Sequence, residues 1–175
     1  MPDEIEIRPV RPSEYAAAGD ATARAYREFR QPNSPGWDAY LARVTDVGSR
    51  AGLGTVLVAI DSGVIAGSAT LELDARISPG PAEPLAPDEA HLRMVGVSPE
   101  HRGKGIGRRL VIACIDLARE RGRSVMTLDT DVVMVAAQQL YLSLGFVSTG
   151  LHQNPGRPEL LGYRLDIAAE PRTTR

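Results

Sequence analysis

HLRMVGVSPEHRGKGIGRRL, residues His91 to Leu110, passes from strand to glycine-rich turn to helix within a short span. Leu92, Met94, Val95 and Val97 are strand formers, Ser98 and Pro99 end the run, and apolar residues recur at helical spacing from Gly105 onward. The turn therefore opens a helix. Gly103, Gly105 and Gly107 let backbone N–H groups converge at the positive end of a helix dipole without Cβ obstruction, and Arg102, Lys104, Arg108 and Arg109 add charge. Such a turn suits a multiply charged phosphate group.

Two common phosphate loops do not fit. A Walker A loop ends in Gly-Lys-Ser/Thr, but Lys104 is followed by Gly105 rather than by a hydroxyl that could hold magnesium. A dinucleotide fingerprint needs a third glycine where Arg108 stands, and here a polar segment separates strand from turn. The residues present are Arg102, two residues, Gly105, one residue and Gly107, preceded by Val95-x-Val97-x-Pro99. This pattern resembles the acyl-CoA-binding motif of the GCN5-related N-acetyltransferases. Further along, Leu140, Tyr141, three residues, Gly145 and Phe146 are similar to that family's later Leu-Tyr-x-x-x-Gly-Phe signature.

Working outward, Ile5 to Val10 alternates as a first strand, and Ser13 caps a helix that runs to about Phe29. The cluster Gln31 to Gly36 breaks it, and Trp37 to about Val47 resumes the helical pattern. Thr55 to Ile60 and Val64 to Leu73 read as strands joined at Asp61, Ser62 and Gly63. Ala75 to Asp88 is a proline-rich loop. After the central stretch come a helix from Gly105 to Arg121 capped by Gly122, a strand from Ser124 to Thr130 and a helix from Val132 to Leu144. Strands Phe146 to Thr149 and Leu160 to Ile167, separated by the turn HQNPGRP, close the chain.

The 175 residues suit one domain, 1–167, with 168–175 as a frayed tail. A net charge of −2 draws the chain to neither nucleic acid nor a membrane surface. The start, MPDEIEIRPV, lacks the basic and apolar regions of a secretory signal, no long apolar run occurs, and a cytoplasmic location is expected. The single cysteine, Cys114, lies on the apolar face of its helix and reads as a small buried hydrophobe, so thiols build neither a disulfide nor a metal cluster.

The order of elements is similar to that family's topology from end to end. The resemblance implies an α/β fold with a twisted, mixed but mostly antiparallel sheet, splayed at the CoA site and flanked by about four helices. It implies acetyl-CoA as cosubstrate, no metal, and a small-molecule or peptide amine as acceptor, with homodimer pairing through the last strands common among relatives. The cofactor would be held by Val95, Gly96 and Val97, whose free main-chain groups pair with the pantetheine arm, and by Arg102, Gly103, Lys104, Gly105, Ile106, Gly107 and Arg108 around its phosphates. Gly96 permits a bulge or a close approach in that strand. Met134 stands where many relatives carry an asparagine, which alters the acyl-chain environment.

The chemistry states its own needs. An alkylamine holds its proton to about pH 10.4, so a base or a water chain is required, and the thiolate that leaves needs an acid. The resemblance implies Tyr141 as the candidate acid, its ring at the CoA sulfur, and a phenol stays protonated near neutrality. Its alternative role is simple packing. His91, Glu89 and Arg93 alternate onto one strand face near the start of the central strand, where the resemblance implies a base, and His91 or Glu89 is the candidate. Tyr26, Phe29 and Asp88 are the acceptor-side candidates, although aromatic residues at helical spacing are more often core. A non-catalytic acyl-CoA sensor of the same fold is the alternative function.

Overall fold

In a computed structural model, which describes residues 5–30, 35–74, 84–152 and 159–168, the chain runs β1 (Glu6–Pro9), α1 (Tyr15–Arg27), α2 (Trp37–Thr45), α3 (Val47–Leu53), β2 (Thr55–Asp61) and β3 (Val64–Glu72). It continues through β4 (Glu89–Val97), α4 (Ile106–Glu120), β5 (Val125–Asp131), α5 (Val135–Ser143), β6 (Val147–His152) and β7 (Leu160–Asp166). The seven strands form one sheet in the order β1-β2-β3-β4-β5-β7-β6. Neighbours pair antiparallel except β4 and β5, which run parallel.

The two faces of this sheet bury different clusters. Successive residues of a strand point to opposite faces, and β2 is buried on both, as its near-continuous apolar run demands. Leu57 and Ala59 join Leu71, Leu92, Met126 and Leu128 under the α4 stripe of Ile106, Leu110, Val111, Cys114 and Ala118. Val56 and Val58 face the other way, onto Ala18 of α1 and Val47 of α3, while Met94 joins Ala23, Tyr26 and Val44. Fully burying a side chain such as Leu110 contributes about 2 kcal/mol.

Two irregularities of β4 shape the site. Ser68 pairs with Gly96 but Thr70 with Arg93, so β4 carries one residue more than β3, and Met94 takes a left-handed backbone at φ 51°. The bulge thus falls at Met94, while Gly96 serves the close approach. A Cβ at Gly96 would stand 3.1 Å from both Ala25 Cβ and Thr22 Cγ2 of α1. The second irregularity is the splay. Pairing of β4 with β5 covers Glu89–Leu92 against Val125–Leu128 and then stops, although β4 continues to Val97 and β5 to Asp131.

Several expected boundaries move. A 3-10 turn, Pro12–Glu14, precedes α1, and Glu14 rather than Ser13 holds it, accepting from the Arg11 N–H and from Arg8. The helix expected from Trp37 to Val47 ends at Thr45, and a further short helix, α3, follows it, so there are five α-helices among the described residues. Asp46 separates them, its Oδ1 accepting from the Ser49 N–H at the start of α3. α5 begins at Val135 rather than Val132, because Asp131 holds the Val133 and Met134 N–H groups in a turn and Gln138 reaches back to the Asp131 and Val132 carbonyls. Ala168, expected in the frayed tail, donates its N–H to Ser124 O. Most of the proline-rich loop (75–83), the segment 31–34, residues 153–158 of the last turn and 169–175 of the tail lie outside the described residues. Among the described residues no helix is long and apolar enough to cross a membrane.

Candidate active site

The glycine turn is built as a main-chain device. Gly103 and Gly105 have φ of 79° and 72°, the left-handed region where a side chain is strained, and Gly105 is the N-cap of α4. The first helical N–H groups of α4 therefore have no partner inside the helix and face outward with the helix dipole. Ile106 contributes here through its N–H alone, since its side chain is buried in the core.

The cationic side chains are less available than their number suggests. Arg102 lies 2.7 Å from Glu28, and its Nε donates to Val97 O. Lys104 donates at 2.6 Å to Asp61 Oδ2, the same oxygen that meets His101 Nδ1 at 2.7 Å. Asp61 is 1% exposed, and the Lys104 and His101 contacts hold its carboxyl down at about 2. Arg108 bonds Ser143 Oγ, and Arg109 reaches Ile5 O. Two of the four cations thus brace the turn against α1 and β2, leaving the main-chain N–H groups and Arg108 to face an anion.

Between the splayed strands lies a cavity of about 380 Å³. Its lining includes His91, Arg93, Met94 and Val95 of β4, Asp129, Thr130 and Asp131 of β5, Tyr26, Trp37, Tyr40 and Arg43 of the early helices, and Met134 and Tyr141. The main chain of Arg93 to Val97 has no strand partner toward β5. Val95 O does accept from the Tyr26 hydroxyl at 3.2 Å, which ties that ring to β4. Met134 fills the cavity wall with its thioether, 3.7 Å from Thr130 Oγ1. Tyr141 is 6% exposed and packs edge-on against Phe146. Burial, with Cys114 adding to it, pushes its phenol above the ordinary range, so it remains a proton donor at any working pH.

His91 is 6% exposed, and its Nδ1 lies 2.8 Å from Thr127 Oγ1. Thr127 in turn donates to Glu89 Oε1 at 2.5 Å. A carboxylate only accepts, so the single hydroxyl proton of Thr127 goes to Glu89 and the hydroxyl oxygen accepts from His91. The network therefore assigns the proton of the neutral ring to Nδ1 and the lone pair to Nε2. Nε2 points along the edge of β5, 3.9 Å from Asp129 Oδ2, and His152 Nε2 lies 3.9 Å from the other oxygen of Asp129.

The structure thus brings together His91, Tyr141, Met134, Val95 and Tyr26 around one cavity, with Glu89 behind His91. Asp88 and Phe29, expected beside the acceptor, are not among the residues that line it. The Asp88 carboxylate accepts from Ser124 Oγ at 2.6 Å and its main-chain carbonyl from the Ser124 and Val125 N–H groups, so it fastens the starts of β4 and β5 together. Phe29 closes the turn after α1, its N–H donating to Tyr26 O. Thr127, Asp129 and Arg43 were not singled out from the sequence. The polar alternation of Thr127 and Asp129 opposite Met126 and Leu128 is a visible signal, but it does not say which strand lies alongside.

Comparison with known proteins gives the family of a fold with a splayed parallel pair beside a glycine turn. Residues 22–146, more than half of the chain, match the Acetyltransferase (GNAT) family, and the chain belongs to it. Among curated relatives, human N-acetyltransferase 8B is 45% identical over 56 residues, 32% of this chain and 25% of that protein. The L-amino acid N-acyltransferase MnaT of Escherichia coli is 41% identical over 73 residues, 42% of this chain and 41% of that protein. The chain thus spans less than half the length of these relatives. Of solved structures, Salmonella typhimurium yncA with its cofactor acetyl-CoA superposes with a TM-score of 0.66 at 28% identity, covering 93% of this chain and 94% of that one. A GNAT family acetyltransferase from Brucella melitensis in complex with acetyl-CoA shares the fold at 22% identity, with a TM-score of 0.65 over 94% of this chain and 88% of that one.

Proposed function

We propose that this acetyltransferase moves an acetyl group from acetyl-CoA to a primary amine by direct attack within a ternary complex. The observation that carries the reading is the splay. Where pairing of β4 and β5 stops at Leu92 and Leu128, a β4 main chain without a strand partner toward β5, a cavity and Tyr141 meet. Those groups fit the cosubstrate chemically: main-chain groups of Val95, Gly96 and Val97 for the amides of its arm, and N–H groups from Gly103 to Arg108 for its phosphates.

Bound acetyl-CoA supplies a thioester, whose bond from acyl carbon to sulfur breaks as the bond to the amine nitrogen forms. His91 Nε2 accepts the proton that the amine must lose, and the Thr127 and Glu89 contacts fix the tautomer of the neutral ring that presents its lone pair there. Asp129, beside it, favours an approaching ammonium. The Tyr141 hydroxyl delivers its proton to the departing sulfur.

Isotope-labelled acetyl-CoA incubated with the protein and a mixture of amines, metabolites and peptides, followed by mass spectrometry, tests the reading. Label should appear on amines, and Y141F and H91A should each slow transfer by about 10²-fold or more while acetyl-CoA still binds. Binding of acetyl-CoA without transfer to any amine would instead make the domain a sensor.

A further inference from the structure

Acetylation of an alkylammonium sheds a proton. Of the three on its nitrogen, one stays on the amide, one replaces the proton that Tyr141 gives to the sulfur, and one, taken by His91, must reach solvent. The His91 side chain is 8% exposed, and its two nitrogens do not offer equal ways out. Exit through Nδ1, by way of Thr127 to Glu89, would leave the remaining ring proton on Nε2, where the next amine needs a lone pair. The proton therefore departs from Nε2, the nitrogen that received it.

Nε2 faces Asp129, and exposure rises step by step from there. Asp129 Oδ2 lies 3.9 Å from His91 Nε2, and its Oδ1 lies 3.9 Å from His152 Nε2. The side chains of His91, Asp129 and His152 are 8%, 32% and 51% exposed in that order. The two imidazoles come from β4 and β6, strands that are not neighbours in the sheet, and the carboxylate of β5 stands between them. His152 reaches it across β7 at Gly162, which pairs with Asp129 on one side and with Gly150 on the other. A Cβ at Gly162 would stand 2.2 Å from His152 Nε2 and 2.3 Å from Thr149 Oγ1, so the missing side chain makes room for the ring. Thr149 Oγ1 also faces that nitrogen, at 3.5 Å.

Resting on the acetyltransferase reading, we propose that His152 is the outlet of a proton relay. The proton passes from His91 Nε2 to Asp129 and from Asp129 to His152, whose exposed ring gives it to solvent or buffer. Both gaps are longer than a hydrogen bond, and rotation of the carboxylate or a bridging water closes them. Asp129 does not hold the proton at rest, because its negative charge favours an imidazolium on either side. The relay returns His91 to the tautomer that the next turnover needs.

The test uses the full chain, acetyl-CoA and the amine that takes most label in the screen above, in dilute buffer with and without added imidazole. H152A, a change at an exposed side chain, should lower kcat about tenfold in dilute buffer with both KM values unchanged, since a positioned proton-transfer group contributes at least that much. Imidazole, a mobile proton carrier, should restore the H152A rate and leave the parent rate alone. Gly162→Ala, whose Cβ would displace the ring from Asp129, should give the same imidazole-dependent loss. H152A turning over at the parent rate in dilute buffer would overturn the relay. A slow H152A that imidazole does not restore would overturn it as well, because that pattern marks a structural role. In both cases the acetyltransferase reading stands, whereas acetyl-CoA binding with no amine labelled would remove that reading and the relay with it.

Discussion

Thr127 has a single hydroxyl proton and sits between a carboxylate and an imidazole. Valine at that position keeps the shape and the β-branch but frees the His91 ring to exchange tautomers. T127V should therefore lower kcat by about 10–100-fold, part of what a positioned base contributes, with the KM for acetyl-CoA unchanged and activity restored in T127S. Steady-state kinetics across pH would check it, and a wild-type rate and pH profile in T127V would strip Thr127 and Glu89 of their positioning role. His91 and Glu89 were legible as candidates because the family resemblance points to the start of the central strand and alternation puts both on one face there. Thr127 was not, since its meeting with them comes from the parallel register His91↔Thr127 across two strands far apart in sequence.

At the scale of elements, the start of α4 depends on Gly105 at φ 72°. A Cβ there meets no atom within 4 Å, so the cost of a larger residue is conformational rather than steric. Gly105→Ala should cost about 1–2 kcal/mol in urea unfolding. It should also raise the Kd for acetyl-CoA, because the N–H groups of the turn lose their alignment. Isothermal titration would show this, and an unchanged Kd would separate the turn from the phosphates. The turn and α4 were readable in advance because their signals are local: glycines at fixed offsets and an apolar stripe. α3 was not, since Gly48, Ser49 and Gly52 weaken its helical propensity. Contacts beyond the helix hold it, chiefly Arg50 reaching Thr70 of β3 and the Val44 carbonyl.

Across the whole molecule, two buried groups report on folding. Asp61 has its carboxyl held down at about 2 by Lys104 and then His101, whereas an unfolded aspartate titrates near about 3.9. Its folded value is the lower one, so the unfolded chain takes up the proton first as pH falls. The contribution of Asp61 to stability is complete above about pH 4 and is lost as pH falls toward about 2. Urea midpoints measured between these values should fall less steeply in D61N than in the parent, and parallel curves would show that the ion cluster does not couple to folding. Burial pushes the Cys114 thiol up to about 12, so iodoacetamide at pH 8 should label it at the rate of global unfolding and no faster. Rapid labelling of the native protein would mean that the face of α4 under the sheet opens locally.

What could be read in one dimension was whatever depends on neighbours in the chain. The strand-turn-helix of His91 to Leu110 and the apolar periodicity required only local sterics and the alternation of faces. These sufficed for the glycine turn and most elements, while the sheet class and the candidacy of Tyr141 came from the family resemblance carried by Arg102 to Gly107 and Leu140 to Phe146. Folding decided everything that depends on register and on competition between partners. Arg102 and Lys104 look like phosphate ligands in the sequence, but the fold brings Glu28 and Asp61 to them. Asp88 looks like an acceptor ligand, but it meets Ser124. The approach of His91 and His152 to Asp129 joins residues from β4, β5 and β6. No periodicity within a single segment could announce it, because a charged side chain takes its role from the groups that three-dimensional packing sets beside it.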